Sequence, residues 1–286
     1  MNPPQKLYQY RAFSTLNITN VRSRSIWFSK PQDFNDPYDC CTAFKVAEPT
    51  PHEVREYYES LKQKHFDEFP HRRHQELRKE WSKFTGPDGL PNEKFCLVMQ
   101  NEADKLLNAL QNNVVENGGV CCFSEKCDHP LMRSHYAEGH RGFCLEFDTR
   151  FEPFDNARKV NYALSFPVIR VASLFEGRSV HDFISIASTK HESWTYESEW
   201  RLFHENGRQA YSYGIEALTR IYFGSKMSDV HRDLLCHILE GSETELYQIR
   251  ASKTDYSMTS ALLTYEPYDL AKHAHGRSKL SSKRER

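Results

Sequence analysis

Residues 194–202 read WTYESEWRL, and the fold turns on whether this stretch is a strand. A strand points successive side chains to opposite faces. On that geometry Trp194, Tyr196, Ser198, Trp200 and Leu202 share one face, while Thr195, Glu197, Glu199 and Arg201 share the other. The first face predicts packing on a core. The second stays open between two readings, a wet charged surface and a pair of acids lining a cleft.

Near the N-terminus, LYQYRAF at 7–13 alternates as a strand and SIWFS at 25–29 is a second one. Between them STLNITNVR suits a short helix capped by Ser14 or Thr15. KPQDFNDPYD is interrupted by two prolines and reads as a loop. Residues 52–117 change character. Charged, helix-favouring runs with Val54, Tyr57, Tyr58 and Leu61 at helical spacing predict a helical insertion, closed by Gly118 and Gly119. Strands return at GVCCFSE, HRGFCLEFD and KVNYALS, at Leu218 to Phe223, and at ELYQIRAS and SMTSALLTYE. Helices are expected at SVHDFISIASTK and VHRDLLCHILEG. This interleaving predicts the α+β class, with a curved mixed β-sheet core and peripheral helices. One domain is expected over 1–271, carrying the helical insertion, followed by a disordered tail over 272–286. That tail holds six Lys or Arg against one Glu.

Aromatic residues make up 13% of the 286 positions, which indicates a folded protein despite an apolar content of 38%. A formal net charge of −1 argues against a large nucleic-acid footprint and leaves the basic tail as the route to such a partner. No apolar run of about 18 residues is present, so no membrane-spanning helix is expected. The N-terminus lacks an apolar signal core, so the expectation is a cytoplasmic protein. Eight cysteines include no C-x-x-C pair. They read as buried apolar groups in a reducing compartment, and no metal site is expected.

Four stretches in order carry a resemblance: YRAF at Tyr10–Phe13, WFSKPQDFNDPYD at Trp27–Asp39, CFSEKCDHPLMRSHYAEGHRGFCLEFD at Cys122–Asp148, and WTYESEWRLF at Trp194–Phe203. Together they resemble a widespread bacterial family catalogued as domain of unknown function 2971. The likeness spans nearly the whole chain outside the insertion and the tail. It implies a cytoplasmic protein of mobile or defence-associated gene neighbourhoods. One departure is that Arg133 stands before Ser-His-Tyr, where the family pattern has Trp.

Glu197 and Glu199, two apart on one strand face, repel each other, so one would hold its proton if both were buried, and Arg201 would offset their charge. This arrangement looks like the acid strand of ADP-ribosyltransferases, in which a Glu grips the ribose hydroxyls of NAD and stabilises an oxocarbenium-like transition state. That likeness implies Glu199 as the principal acid with Glu197 beside it. Arg11 would then bind the diphosphate, and Ser124 or Tyr136 would lie near the nicotinamide. The ordinary alternatives are a carboxylate-paired Arg11 and a structural Ser124. Arg133, His135, Tyr136, His140 and Arg141 crowd within nine positions. Such donors suit an anionic, nucleotide-like ligand, and the histidines suit acid–base work. An ordinary polar loop is the alternative. Asp33, Asp36 and Asp39 read as turn residues; the alternatives are Mg²⁺ or Ca²⁺ binding through their oxygens, although the spacing lacks a Ca²⁺-loop pattern, and the orienting of Arg11 or Arg201. Three functions follow. The first is an NAD-using transferase with an unidentified macromolecular target. The second is a Mg²⁺-dependent nuclease built on Glu197 and Glu199, although Arg201 stands where such cores carry Lys. The third is a non-enzymatic nucleotide sensor or interaction module.

Overall fold

Leu7 and Gln9 turn to one side of the first strand and Tyr8 and Tyr10 to the other, and this alternation organises much of the fold. The computed structural model describes residues 2–40, 45–69, 74–170 and 184–265. In chain order the elements run β1 (Lys6–Arg11), α1 (Thr15–Ser23), β2 (Ser25–Phe28), β3 (Lys45–Ala47), α2 (Pro51–Glu68), α3 (His74–Trp81), α4 (Glu93–Gln111), β4 (Gly119–Ser124), α5 (Pro130–Tyr136) and β5 (Phe143–Asp148). They continue with β6 (Arg158–Lys159), β7 (Asn161–Ala163), β8 (Val168–Arg170), β9 (Thr189–His191), β10 (Glu199–His204), β11 (Gln209–Ser212), β12 (Leu218–Phe223), α6 (Asp229–Ile238), β13 (Glu245–Ala251) and β14 (Met258–Leu262). The class is α+β, as the interleaving predicts. The chain divides into two compact units. A sheet unit comprises Asn2–Ile26, Phe123–Asn156 and the chain from Ser212, and a helical unit comprises Trp27–Cys122 and Ala157–Tyr211.

In the sheet unit the strand order is β14-β13-β12-β5-β1, and Tyr8 of β1 pairs with Ser124 at the end of β4. The sheet is mixed, with β12 and β13 parallel and the other pairs antiparallel. Register sets its two faces. Leu7 lies opposite Phe147 and Gln9 opposite Leu145, so one face is apolar apart from the buried Gln9. Phe147 stacks on Phe154 at 4.4 Å, and Phe123 and Tyr213 pack edge-on against the pair. On the other face Tyr8 lies opposite Glu146, and both Tyr10 and Tyr222 lie opposite Cys144. That face is polar yet buried. Glu146 accepts from Thr219 Oγ1 at 2.7 Å and from Tyr222 Oη at 2.6 Å. The Ser14 hydroxyl accepts from the Asn17 amide and caps α1.

In the helical unit α2 starts on a capping box. Thr50 and Glu53 satisfy each other's backbone amides, and Pro51 occupies the first turn, where its missing N–H costs nothing. Asn92 caps α4 by a single bond, its side chain accepting from the Phe95 amide. Tyr58, Phe95, Met99, Ala103 and Leu107 form the core of the predicted insertion. Tyr58 meets Trp81 and Phe95 edge-on, and its hydroxyl pairs with Thr85 Oγ1 at 2.6 Å. Ile169, Ile186 and Ala187 complete this core, so the insertion packs on later chain and is not a separate appendage. The strands of this unit pair as β4-β10-β6, β3 with β8, and β7 with β9.

One local expectation is overturned. WTYESEWRL is not a continuous strand. Residues Glu192–Glu197 form a 3-10 helix, Ser198 adopts the left-handed conformation at φ 45°, and β10 begins only at Glu199. His191 Nδ1 accepts from the Ser193 amide and the Ser198 amide donates to Thr195, which closes the turn. The helix expected over SVHDFISIASTK falls partly outside the described residues. Those described are helical at 184–187, and β9 follows at Thr189. The tail at 272–286 lies outside the described residues. Among the described residues no helix is long and apolar enough to cross a membrane.

Candidate functional site

Strand β10 presents Trp200 and Leu202 to one side and Glu199 and Arg201 to the other, and both sides are buried. The wet-surface reading of the charged face is therefore wrong. Arg201 is 0% exposed and Glu199 4%, so each charge must be met by protein groups. Arg201 grips Glu199 with both arms of its fork, Nε to Oε1 at 2.8 Å and Nη2 to Oε2 at 2.9 Å. Nη2 also reaches Asp39 Oδ1 at 2.7 Å, and Nη1 donates to the Ala187 carbonyl at 2.6 Å and to Cys40 Sγ at 3.0 Å. The guanidinium lies over the Phe34 ring at 5.9 Å.

A second cation enters from β9. Lys190 Nζ contacts Glu197 Oε2 at 2.6 Å, Asp39 Oδ2 at 3.1 Å and Glu199 Oε2 at 3.3 Å, and lies 4.8 Å from the centre of the Trp194 ring. The 3-10 turn and the left-handed Ser198 thus bring Glu197 to the same lysine as Glu199. The Glu199 amide donates to Tyr162 Oη at 2.9 Å. Three acids and two bases meet in one desolvated cluster within the helical unit.

Burial alone would raise the pKa of Glu199, but Arg201 and Lys190 outweigh it and lower the value to about 2. Burial opposes charge on Lys190 as well, and the three acids overcome it, holding its pKa above the ordinary value of 10.5. Arg201 is likewise raised against its own desolvation. Burial and Glu199 push the Cys122 thiol well up. The cluster accordingly holds a fixed carboxylate at Glu199, with two cations that stay charged.

Of the residues singled out from sequence, Glu197, Glu199 and Arg201 come together here. Arg11, Ser124, His135, Tyr136 and His140 all belong to the sheet unit. Arg11 ends β1 and is half-buried. Ser124 is buried at the end of β4, where its hydroxyl accepts from the Lys126 amide at 3.1 Å. The His135 and Tyr136 rings are 6.2 Å apart at the end of α5. His140 sits in the following turn with its Nε2 3.2 Å from Ser134 Oγ. Asp39 does orient Arg201, as the loop reading allows, while Asp33 pairs with Arg208. Lys190 was missed. Its place in STKHESW carries no motif, and only the two acids downstream hint at a need for a cation.

Residues 132–202 match the model of a family described as a protein of unknown function (DUF2971). The match covers less of the chain than the resemblance does. It contains Arg133, Glu146, Lys190, Glu197, Glu199 and Arg201. No curated protein and no solved structure matches the chain.

Proposed function

We propose that the chain is an NAD-using enzyme of the ribosyl-transfer type, with Glu199 as its charge-stabilising acid. One observation carries this reading. Glu199 is held as an ionised carboxylate in a desolvated site and oriented at both oxygens by a planar guanidinium. Ribosyl transfer develops positive charge on the ribose carbon, and a fixed carboxylate in a water-poor site stabilises it. The C–N bond to nicotinamide breaks with its electron pair leaving on the nitrogen. A C–O bond forms from water or an acceptor hydroxyl, whose proton passes to Glu197. Arg201 and Lys190 act as positioning residues. In this reading substrate replaces the bond from Lys190 to Glu199, which at 3.3 Å is longer than those from Arg201. Arg11, Ser124, His135, Tyr136 and His140 receive no step from this geometry. Seven free cysteines among the described residues suit a reducing compartment, and we place the reaction in the cytoplasm.

The test is incubation with NAD, with and without cell extract to supply acceptors, following free nicotinamide. Glu199→Gln, which keeps the shape and removes the charge, should abolish release. If the unaltered protein neither binds NAD nor releases nicotinamide, the proposal fails.

Lys190 favours a second reading. Nuclease cores pair acids with a lysine, and the lysine that seemed absent from sequence arrives beside Asp39 and Glu199 from β9. Mg²⁺ would have to displace the Arg201 fork from Glu199, and among the described residues no group of three His, Cys, Asp or Glu side chains is arranged to hold a metal. Mg²⁺-dependent cleavage of DNA or RNA, lost in Lys190→Met, would move the assignment to this chemistry.

A further inference from the structure

The sheet unit holds a second buried cation whose situation is the reverse of Arg201. Arg133 lies in the middle of α5 and is 0% exposed. Nη2 donates to the Cys127 carbonyl at 2.7 Å, and the guanidinium lies 5.5 Å from the centre of the Tyr10 ring. Nε and Nη1 are buried with no hydrogen-bond partner. Among the described residues no carboxylate forms an ion pair with it, whereas Arg201 meets two carboxylates, a thiol and a carbonyl.

Burying a guanidinium without a counter-charge is strongly destabilising, and a ring face offsets only part of that cost. A trapped water would satisfy a donor but supply no negative charge. The neighbouring thiols supply none either. Burial pushes Cys127 up to about 11 and Cys144 further, so both are neutral. His140 extends the same polarity. Its amide donates to the Arg133 carbonyl at 3.2 Å, and its Nδ1 is buried without a partner. Burial, and then the charges of Arg133 and Lys226, hold the imidazole below its ordinary pKa. In the tautomer whose Nε2 accepts from the Ser134 hydroxyl, Nδ1–H is a donor.

We propose that Arg133 anchors an oxyanion site in the sheet unit, taking a phosphate or the phosphoryl group of a small metabolite at Nε and Nη1, with His140 as the adjoining donor. Full burial of Arg133 restricts the ligand to a small group. A bidentate guanidinium contact is the usual geometry for such an anion. The site stands independently of ribosyl transfer, which uses residues of the other unit.

The experiment uses the full chain in phosphate-free buffer. Inorganic phosphate is titrated against thermal unfolding and calorimetry, with chloride at equal ionic strength as the control. Phosphate should raise the melting temperature saturably beyond chloride. Arg133→Met should weaken phosphate binding at least tenfold without lowering the melting temperature in the absence of phosphate, because the unpaired charge is gone. His140→Ala, in a half-exposed turn, should weaken binding several-fold with the fold intact, so the test survives a misfolded Arg133 variant. Tighter binding of ribose 5-phosphate than of phosphate would identify a metabolite ligand, and the opposite order the free ion. No phosphate effect beyond chloride, or unchanged affinity in both variants, would overturn the site.

Discussion

Arg201 and Glu199 are two residues apart on one strand, yet together they decide how the helical unit tolerates buried charge. Arg201→Met would leave Glu199 with Lys190 alone and remove a partner from Asp39. Breaking a buried pair from one side costs about 3–5 kcal/mol, so urea denaturation should show a loss of that size at neutral pH. The sign of the pH response follows from the direction of each shift. Glu199 has a depressed folded pKa, about 2 against an ordinary 4.5, so its contribution is present above 4.5 and fades as pH falls toward 2. Lys190 is raised, so its contribution is present below 10.5 and fades in more alkaline solution. Glu199→Gln should therefore flatten the stability profile between about pH 4.5 and 2. An unaltered acid limb in that variant would contradict the assigned ion pairs.

At the scale of elements, the close approach of Gly224 to the turn after α5 gives a sharp test. Gly224 follows β12, and a Cβ there would collide with the carbonyls of His140 and Gly142, which belong to backbone and cannot swing aside. Its amide donates to the Gly142 carbonyl at 2.9 Å. Gly224→Ala should lower stability by about 2 kcal/mol or more, at the upper end of ordinary single substitutions. A melting temperature equal to that of the unaltered protein would refute this packing. Much at this scale was legible. The Ser14 cap, the helical run around Tyr58 and the alternation of β5 are strong local signals. The 3-10 turn before β10 was not, because Trp194, Tyr196 and Trp200 mimic the period of a strand. Ser198 also takes a left-handed conformation that sequence usually marks with Gly or Asn.

For the whole molecule, sequence disclosed the α+β class and drew attention to Glu197, Glu199 and Arg201, three of the five charges that meet in the acid–cation cluster. It did not disclose that segments interleave into two compact units, because each unit is closed by pairings between distant positions, such as Lys6 with Asp148. Lys190 escaped for the same reason, since its partners Asp39 and Glu199 come from far upstream and from the next strand. Arg133 stood out in sequence as a substitution for Trp and as one of five crowded donors suited to an anion, while its missing counter-charge is visible only once α5 packs over Tyr10. The proposed role of Glu199 is that of a fixed, ionised acid acting on a ribosyl carbon. Its most direct measurement is nicotinamide released from NAD by the purified full chain, compared with Glu199→Gln verified as folded. Release by the unaltered protein and none by the variant is the predicted result; equal release by both, or none by either, contradicts it.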